Sequence, residues 1–278
     1  MKRLDQTMVA RELASSRTAA ARHIHAGEVL VNGQKVTKPA AKVTDSDLVQ
    51  LTVAGPQYAS RAGHKLAGAL EIFHTIDVRN ERCLDAGAST GGFTDVLLQC
   101  GAEQVVAVDV GHDQMIQRLR VDPRVEVHEG INVRYLGLSD IGEPVDVVVS
   151  DLSFISLHLV IGALVSVCAA GAQLVLMIKP QFEIGRERLP KTGVVTHPDQ
   201  RREAVSGVVE AALVHGLVPQ GVAASPLPGQ DGNKEFFFWA THDVAGAHLH
   251  DTINISQWLD AQHINWADEP MSHYPQRA

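Results

Sequence analysis

An α/β fold with a mostly parallel sheet, preceded by a small α+β domain, is what this sequence predicts, and three observations carry the prediction. From Ser60 onward the chain alternates strand-like and helical segments, as a parallel sheet with crossover helices requires. The stretch Asp85-Ala86-Gly87-Ala88-Ser89-Thr90-Gly91-Gly92-Phe93 joins a strand end at Cys83-Leu84 to a helix from Thr94 to Cys100. Glycines there let the backbone approach a ligand closely, and the helix start offers unpaired N–H groups. Residues 1 to about 53 read instead as two helices followed by short strands.

In the first segment a helix is expected from Leu4 to Ala14, with Ser15-Ser16 as a cap, and a second from Arg17 to Ala26, closed by Gly27. Val29-Leu30-Val31 leads into an Asn32-Gly33 hairpin turn, and Leu48 to Val53 forms a further strand. Turn-rich Ala54-Gly55-Pro56-Gln57 reads as a linker, which divides the chain at 1–57, 58–245 and a tail at 246–278. Strands of the large domain are expected at Arg82–Asp85, Val105–Asp109, Val125–His128, Val145–Asp151, Gln173–Lys179, Gly216–Ser225 and Glu235–Thr241. The tail carries one helix, Ser256–His263, and then loses periodicity.

Leu152 to Ile178 lacks Asp, Glu, Lys and Arg over 27 residues, long enough for a membrane span. Ala169-Ala170-Gly171-Ala172 breaks that run, and Ser153, Ser156, His158, Ser166 and Gln173 add polar groups. A buried helix, a turn and a strand covered on both faces explain it better.

Residues 1–65 hold ten Lys and Arg against five acids, so a +5 segment precedes a body of −13 in a chain of net −8. A basic segment on an acidic body suggests a polyanion held by the first and chemistry in the second; ordinary surface charge is the alternative. Cys83, Cys100 and Cys168 are scattered, which suggests neither a disulfide framework nor a zinc site and fits a reducing cytoplasm. Arg11, Glu12, Arg17 and Arg22 interrupt any signal-peptide core. His242, His248, His250, His263 and His273 lack a compact ligand spacing, so no metal is expected.

Four charged residues fall where elements should end near the glycine loop: Lys65, Asp151, Lys179 and Glu235. In a doubly wound sheet, ligands bind beyond the carboxyl ends of the strands, which sets Asp151 and Lys179 beside the loop. Asp109, ending the second strand, stands where an acid binds ribose hydroxyls. Each residue taken singly also reads as an ordinary charged strand terminus, and the loop as a tight turn without a ligand.

The loop differs from the dinucleotide pattern G-x-G-x-x-G, because Ala88 to Thr90 separate Gly87 from Gly91. It resembles motif I of S-adenosylmethionine (SAM) methyltransferases. That resemblance implies a SAM cofactor held by Asp85, Gly87, Ala88, Ser89, Gly91, Gly92, Phe93, Asp109, Asn132 and Asp151, with Asp85 at the methionine end and Asp109 at the ribose. Arg3-Leu4-Asp5, Ser16-Arg17, Ala20, Ile24, Gly27-Glu28-Val29, Val31-Asn32-Gly33 and Lys38-Pro39 resemble the S-four RNA-binding domain. This implies RNA contacts by Arg3, Arg17, Arg22, Lys35, Lys38 and Arg61, although a small protein-docking domain is the alternative.

Lys65, Asp151, Lys179 and Glu235, in this order, resemble the tetrad of FtsJ-type RNA ribose 2′-O-methyltransferases. The blocks Ser60-Arg61-Ala62-Gly63-His64-Lys65-Leu66, Asp151-Leu152-Ser153-Phe154-Ile155-Ser156 and Lys179-Pro180-Gln181-Phe182-Glu183 are similar to the TlyA family, which joins an S-four domain to such an enzyme. The resemblance implies a Rossmann-like catalytic domain, methylation of cytidine 2′-hydroxyls in 16S or 23S ribosomal RNA, and a ribosomal RNA or subunit partner in the cytoplasm. A ribose hydroxyl is a very weak acid, so its proton must leave as the new bond forms, and Lys179 accepts it only as a neutral amine. Rival readings are a non-catalytic ribosome-assembly factor and a membrane-lytic protein, since the family has carried the label haemolysin.

Overall fold

The structure, a computed structural model, describes residues 2–11, 13–14, 17–44, 46–52, 58–229, 231–243 and 253–267. The expected cap at Ser15-Ser16, the linker Ala54–Gln57 and tail residues His248, His250 and His273 lie outside these residues. The chain divides into two compact units between Ala59 and Ser60.

The first unit runs β1 (Lys2–Arg3), α1 (Leu4–Ala10), α2 (Arg17–His25), β2 (Val29–Val31), β3 (Gln34–Lys35), β4 (Lys42–Val43) and β5 (Val49–Leu51). Leu4 and Met8 of α1 and Ala20 and Ile24 of α2 are fully buried at i, i+4 spacing, and they pack on Val29, Val43 and Val49. The Asn32-Gly33 turn forms as expected: Leu30 pairs with Lys35 and Val31 with Gln34. Both turn residues have positive φ, 52° and 79°, as a two-residue hairpin loop demands. Helix α1 stops four residues short of the expected Ala14. Arg11 Nη1 donates to Asp47 O at 2.6 Å and Nη2 to Thr44 O at 3.2 Å, and Leu13 N reaches back to Met8 O, a wider turn than an α-helix makes.

The second unit runs α3 (Arg61–Ile72), β6 (Arg82–Ala86), α4 (Gly92–Gln99), β7 (Gln104–Asp109), α5 (Gln117–Arg120), β8 (Val125–Glu129), α6 (Leu138–Ile141), β9 (Val145–Ser150), α7 (Ile161–Ser166), β10 (Cys168–Ile178), α8 (Pro180–Glu183), α9 (Pro198–Val214), β11 (Leu217–Ala224), β12 (Phe236–His242) and α10 (Ile255–Asp260). Its seven strands lie in the order β11-β12-β10-β9-β6-β7-β8. All neighbours are parallel except β12, which runs antiparallel to both β10 and β11. The chain leaves β6 toward β7 and β8, then returns to β9 on the other side, so a crevice opens beyond the ends of β6 and β9.

The charge-free run resolves as α7 followed directly by β10. The expected turn at Ala169–Ala172 is instead an irregularity inside the strand: its register on β9 shifts between Cys168 and Gln173, and Gly171 takes φ +83°. A glycine in that region lets a strand absorb the extra residues without ending. Leu174 to Ile178 are then at most 1 % exposed, between β9 and β12. Among the described residues, no helix is long and apolar enough to cross a membrane.

The C-terminal segment, where periodicity fades, is docked. Arg201 of α9, 1 % exposed, donates to Val195 O at 3.0 Å and to Trp266 O at 2.8 Å, while the Trp266 ring lies 5.2 Å from Phe236.

Gly91 caps the start of α4 with φ +93°, and a Cβ there would lie 2.4 Å from Leu119 Cδ1. Gly171 also has positive φ but has nothing within 4 Å of that position. Gly171→Ala should therefore cost about 1–2 kcal/mol in backbone strain, and Gly91→Ala about 2–4 kcal/mol once overpacking is added. Urea unfolding of the two variants against the parent measures both, and equal losses would mean that Leu119 yields freely.

Candidate active site

Register sets the site. Ala86 pairs with Ser150, Ser150 with Leu176, and Ile178 with Phe236. The residues just outside these pairs, Gly87, Asp151, Lys179 and Glu235, therefore emerge at one edge of the sheet. Asp151, Lys179 and Glu235 each lie one residue beyond the strand that was expected to contain it.

Lys65 arrives from α3. Gly92 makes this possible: a Cβ there would stand 2.3 Å from Ser60 Oγ and 3.1 Å from Gly63 N, so the start of α4 meets the start of α3 in van der Waals contact. The four side chains then form two ion pairs. Lys65 Nζ lies 2.5 Å from Glu235 Oε2, with Met177 Sδ at 3.8 Å. Lys179 Nζ lies 2.7 Å from Asp151 Oδ1 and donates to Ser153 Oγ at 2.8 Å. Both lysines are buried, and buried charges persist only when paired.

Asp85 lies beside them at 0 % exposure. Its Oδ2 accepts from Thr94 N at 2.8 Å and Thr94 Oγ1 at 2.6 Å, tying β6 to the first turn of α4. Its Oδ1 has no hydrogen-bond partner among the described residues. Burial pushes the carboxyl up to about 7; the bonds from Thr94 oppose that rise, and the charges of Asp151 and Asp109 add to it. Asp109 accepts from Ser89 N at 2.8 Å and from Gly111 N at 2.7 Å, so it clasps the glycine loop to the segment after β7. Gly87 has φ +90°, and a Cβ there would meet Leu152 Cδ2 at 3.1 Å and Asp151 O at 3.2 Å.

Of the remaining loop residues, Ser89 is exposed, whereas Ala88, Gly91, Gly92 and Phe93 are buried beneath, the Phe93 ring stacked on Phe237 at 6.2 Å. Asn132 is exposed and caps a short helical turn, accepting from Arg134 N at 3.0 Å. These residues fit a bound SAM. Asp85 Oδ1 is a buried acceptor wanting a donor, and Asp109 retains lone pairs beyond the two it uses. Among the described residues, no group of His, Cys, Asp or Glu is arranged to hold a metal ion. A cavity of about 500 Å³ lined by Asn80, Arg82, Glu103, Arg124 and Asp146 lies at the other end of the strands, away from this chemistry.

The six candidate RNA contacts separate. Arg3 Nε and Nη2 donate to Asp5 at 2.9 and 3.0 Å, and Arg17 Nη2 to the same carboxylate at 3.2 Å. The Arg3 bond, joined by that of Arg17, holds Asp5 at about 2. Arg22, Lys35 and Lys38 are exposed, and the Lys35 stem crosses Gly27, whose Cβ would lie 2.3 Å from Lys35 Cε. Arg61 belongs to the second unit and donates to Pro228 O at 2.5 Å. Ser153, Thr94 and Met177 were missed as site residues; Ser153 stood in plain sight inside the Asp151–Ser156 block.

Residues 58–242 match the FtsJ-like methyltransferase family and residues 2–49 the S4 domain. The chain is 49 % identical to the 16S/23S rRNA (cytidine-2′-O)-methyltransferase TlyA of Mycobacterium tuberculosis, over 85 % of this chain and 88 % of that one. It is 38 % identical to Hemolysin A of Brachyspira hyodysenteriae, over 84 % and 97 %. A solved structure from Streptococcus thermophilus is 34 % identical and superposes with a TM-score of 0.70, covering 93 % of this chain and 96 % of the other.

A carboxyl of raised pKa makes stability fall with pH. Between about 4 and 7 the unfolded chain has lost the Asp85 proton while the folded chain still holds it, so unfolding is favoured progressively across that window, by up to about 1.4 kcal/mol per pH unit. Asp85→Asn should flatten this part of the stability profile, measured by urea unfolding at pH 5 and pH 7. An unchanged slope would mean that Asp85 ionises normally in the fold.

Proposed function

This chain belongs to the TlyA family, an S4 domain joined to an FtsJ-like methyltransferase, and on that premise we propose that it transfers a methyl group from SAM to a ribose 2′-hydroxyl of ribosomal RNA. Cytidine is the nucleotide, and 16S or 23S RNA, naked or within a subunit in the cytoplasm, is the substrate. The observation that carries the reading is the Lys179–Asp151 pair beside a loop suited to SAM, with a second ammonium, Lys65, held apart by Glu235.

When bound, SAM supplies an electrophilic methyl group on a cationic sulfur. Asp85, Gly87, Ser89, Asp109 and Asn132 hold it, while Ala88, Gly91, Gly92 and Phe93 support the loop from below. Lys179 Nζ, having first given up its own proton to solvent, takes the proton of the ribose hydroxyl as a neutral amine. Asp151 and Ser153 keep that nitrogen in place through the change of charge, so the base is aligned before the hydroxyl arrives. The Lys65–Glu235 pair ties α3 to the residue before β12 at the same edge of the sheet. Much of the rate then comes from alignment.

The first unit docks RNA through Arg22, Lys35 and Lys38, which present their charge to solvent. Arg3 and Arg17 share Asp5, so part of their charge is already neutralised within the unit.

Tritium transfer from labelled SAM to ribosomal subunits tests the reading. Lys179→Ala should lower it on the order of a hundredfold or more, with SAM affinity by calorimetry unchanged. Reversing the charge of Arg22, Lys35 and Lys38 together should weaken RNA binding and flatten its salt dependence, again without touching SAM. Near-parental transfer by Lys179→Ala would remove Lys179 from the reaction.

A further inference from the structure

Glu183 closes the block that begins at Lys179, and the reaction above makes no use of it. Pro180 opens α8 immediately after Lys179, with Glu183 as its last residue. The Glu183 side chain is 1 % exposed. Its Oε1 accepts from Leu157 N at 2.9 Å and its Oε2 from Ser156 Oγ at 2.5 Å. Ser156 Oγ in turn accepts from His158 N at 3.2 Å. Burial raises the carboxyl while the two bonds and the nearby His158 ring lower it.

What Glu183 grips is the far end of an irregular segment, residues 151–156, that belongs to no helix or strand. The near end of that segment supplies Asp151 and Ser153 to Lys179 Nζ. Between them Phe154 takes φ +65° and sets its ring 5.3 Å from Phe182. The segment is thus tied at both ends, and in the middle, to the short stretch Lys179–Glu183. Without regular hydrogen bonding of its own, the segment is otherwise held by Asp151 N donating to Ala86 O at 3.2 Å and by Leu152 and Ile155 packed on the core, so these ties bear directly on its shape.

We propose that Glu183 is a positioning residue: by holding Ser156 Oγ and Leu157 N it fixes the segment 151–156, and through Asp151 and Ser153 it sets the place of Lys179 Nζ. For the consequence in turnover, the inference rests on the methyl-transfer reading. For the hold on the segment, it does not.

The test uses the full chain with Glu183→Ala, Glu183→Gln and Ser156→Ala, and two readouts. Hydrogen exchange should quicken within residues 152–157 in Glu183→Ala, with the core strands unchanged, and return toward the parent in Glu183→Gln, which can still accept from Leu157 N. Methyl transfer to ribosomal subunits should fall about tenfold or more in kcat for Glu183→Ala, by less for Ser156→Ala, and recover in Glu183→Gln, with SAM affinity and RNA KM unchanged. Ser156→Ala keeps the test open should Glu183→Ala fold poorly. Parental exchange in 152–157 in both Glu183→Ala and Ser156→Ala would overturn the inference, as would equal losses of kcat and SAM affinity. A parent protein without methyl transfer would refute the reaction reading, while exchange still decides what Glu183 holds.

Discussion

Three buried charges, Lys65, Lys179 and Glu235, and the half-buried Asp151 sit at one edge of a sheet, and they are tolerable only as two neutral pairs. Lys65–Glu235 and Lys179–Asp151 come from separate parts of the chain: a helix before the sheet, the ends of two adjacent parallel strands, and the start of an antiparallel one. Any slip in register would leave an ammonium or a carboxylate unpaired out of water, at a cost of several kcal/mol. The pairing of Ile178 with Phe236, and of Ser150 with both Ala86 and Leu176, therefore does more than align apolar side chains. It delivers partners to each other, and the same alignment leaves the glycine loop open beside them.

The loop itself divides its labour by depth. Gly91 and Gly92 are needed because Leu119 and Ser60 already occupy the space a Cβ would take, which is a packing reason. Gly87 and Ser89 both have left-handed backbones; a Cβ on Gly87 would crowd Leu152 and Asp151 O, whereas Ser89 is exposed and held by Asp109 through its N–H. In the proposed reaction, binding and chemistry fall on different groups: the loop and Asp109 for the cofactor, Lys179 with Asp151 and Ser153 for the proton.

Much of this was legible in the sequence because the signals are local. Strand runs, the Asn32-Gly33 turn and the spacing of glycines to the next acidic strand end each depend on a few adjacent residues. What escaped depends on distance. Nothing near Leu13 announces that Arg11 is drawn to Asp47 and Thr44, which ends α1 early. The four site residues could be placed at one mouth, but the division into Lys65 with Glu235 and Lys179 with Asp151 follows only from three-dimensional register. Arg3 and Arg17 read as free cations until Asp5 is seen between them, and Arg61 until Pro228 O is. The docked tail, held by Arg201 and Trp266, leaves no periodic trace because its contacts are single anchors rather than a repeating face.

The chemical position of the transferred methyl group tests the account most directly. Ribosomal RNA treated with this protein and labelled SAM is hydrolysed in alkali, which cleaves next to free 2′-hydroxyls and spares methylated ones. A ribose methyl group leaves the label in alkali-resistant dinucleotides that begin with cytidine, and this is the result predicted. Label recovered in mononucleotides, with the methyl group on a base, would contradict the assignment of Lys179 to a ribose hydroxyl and the reading of the site built upon it.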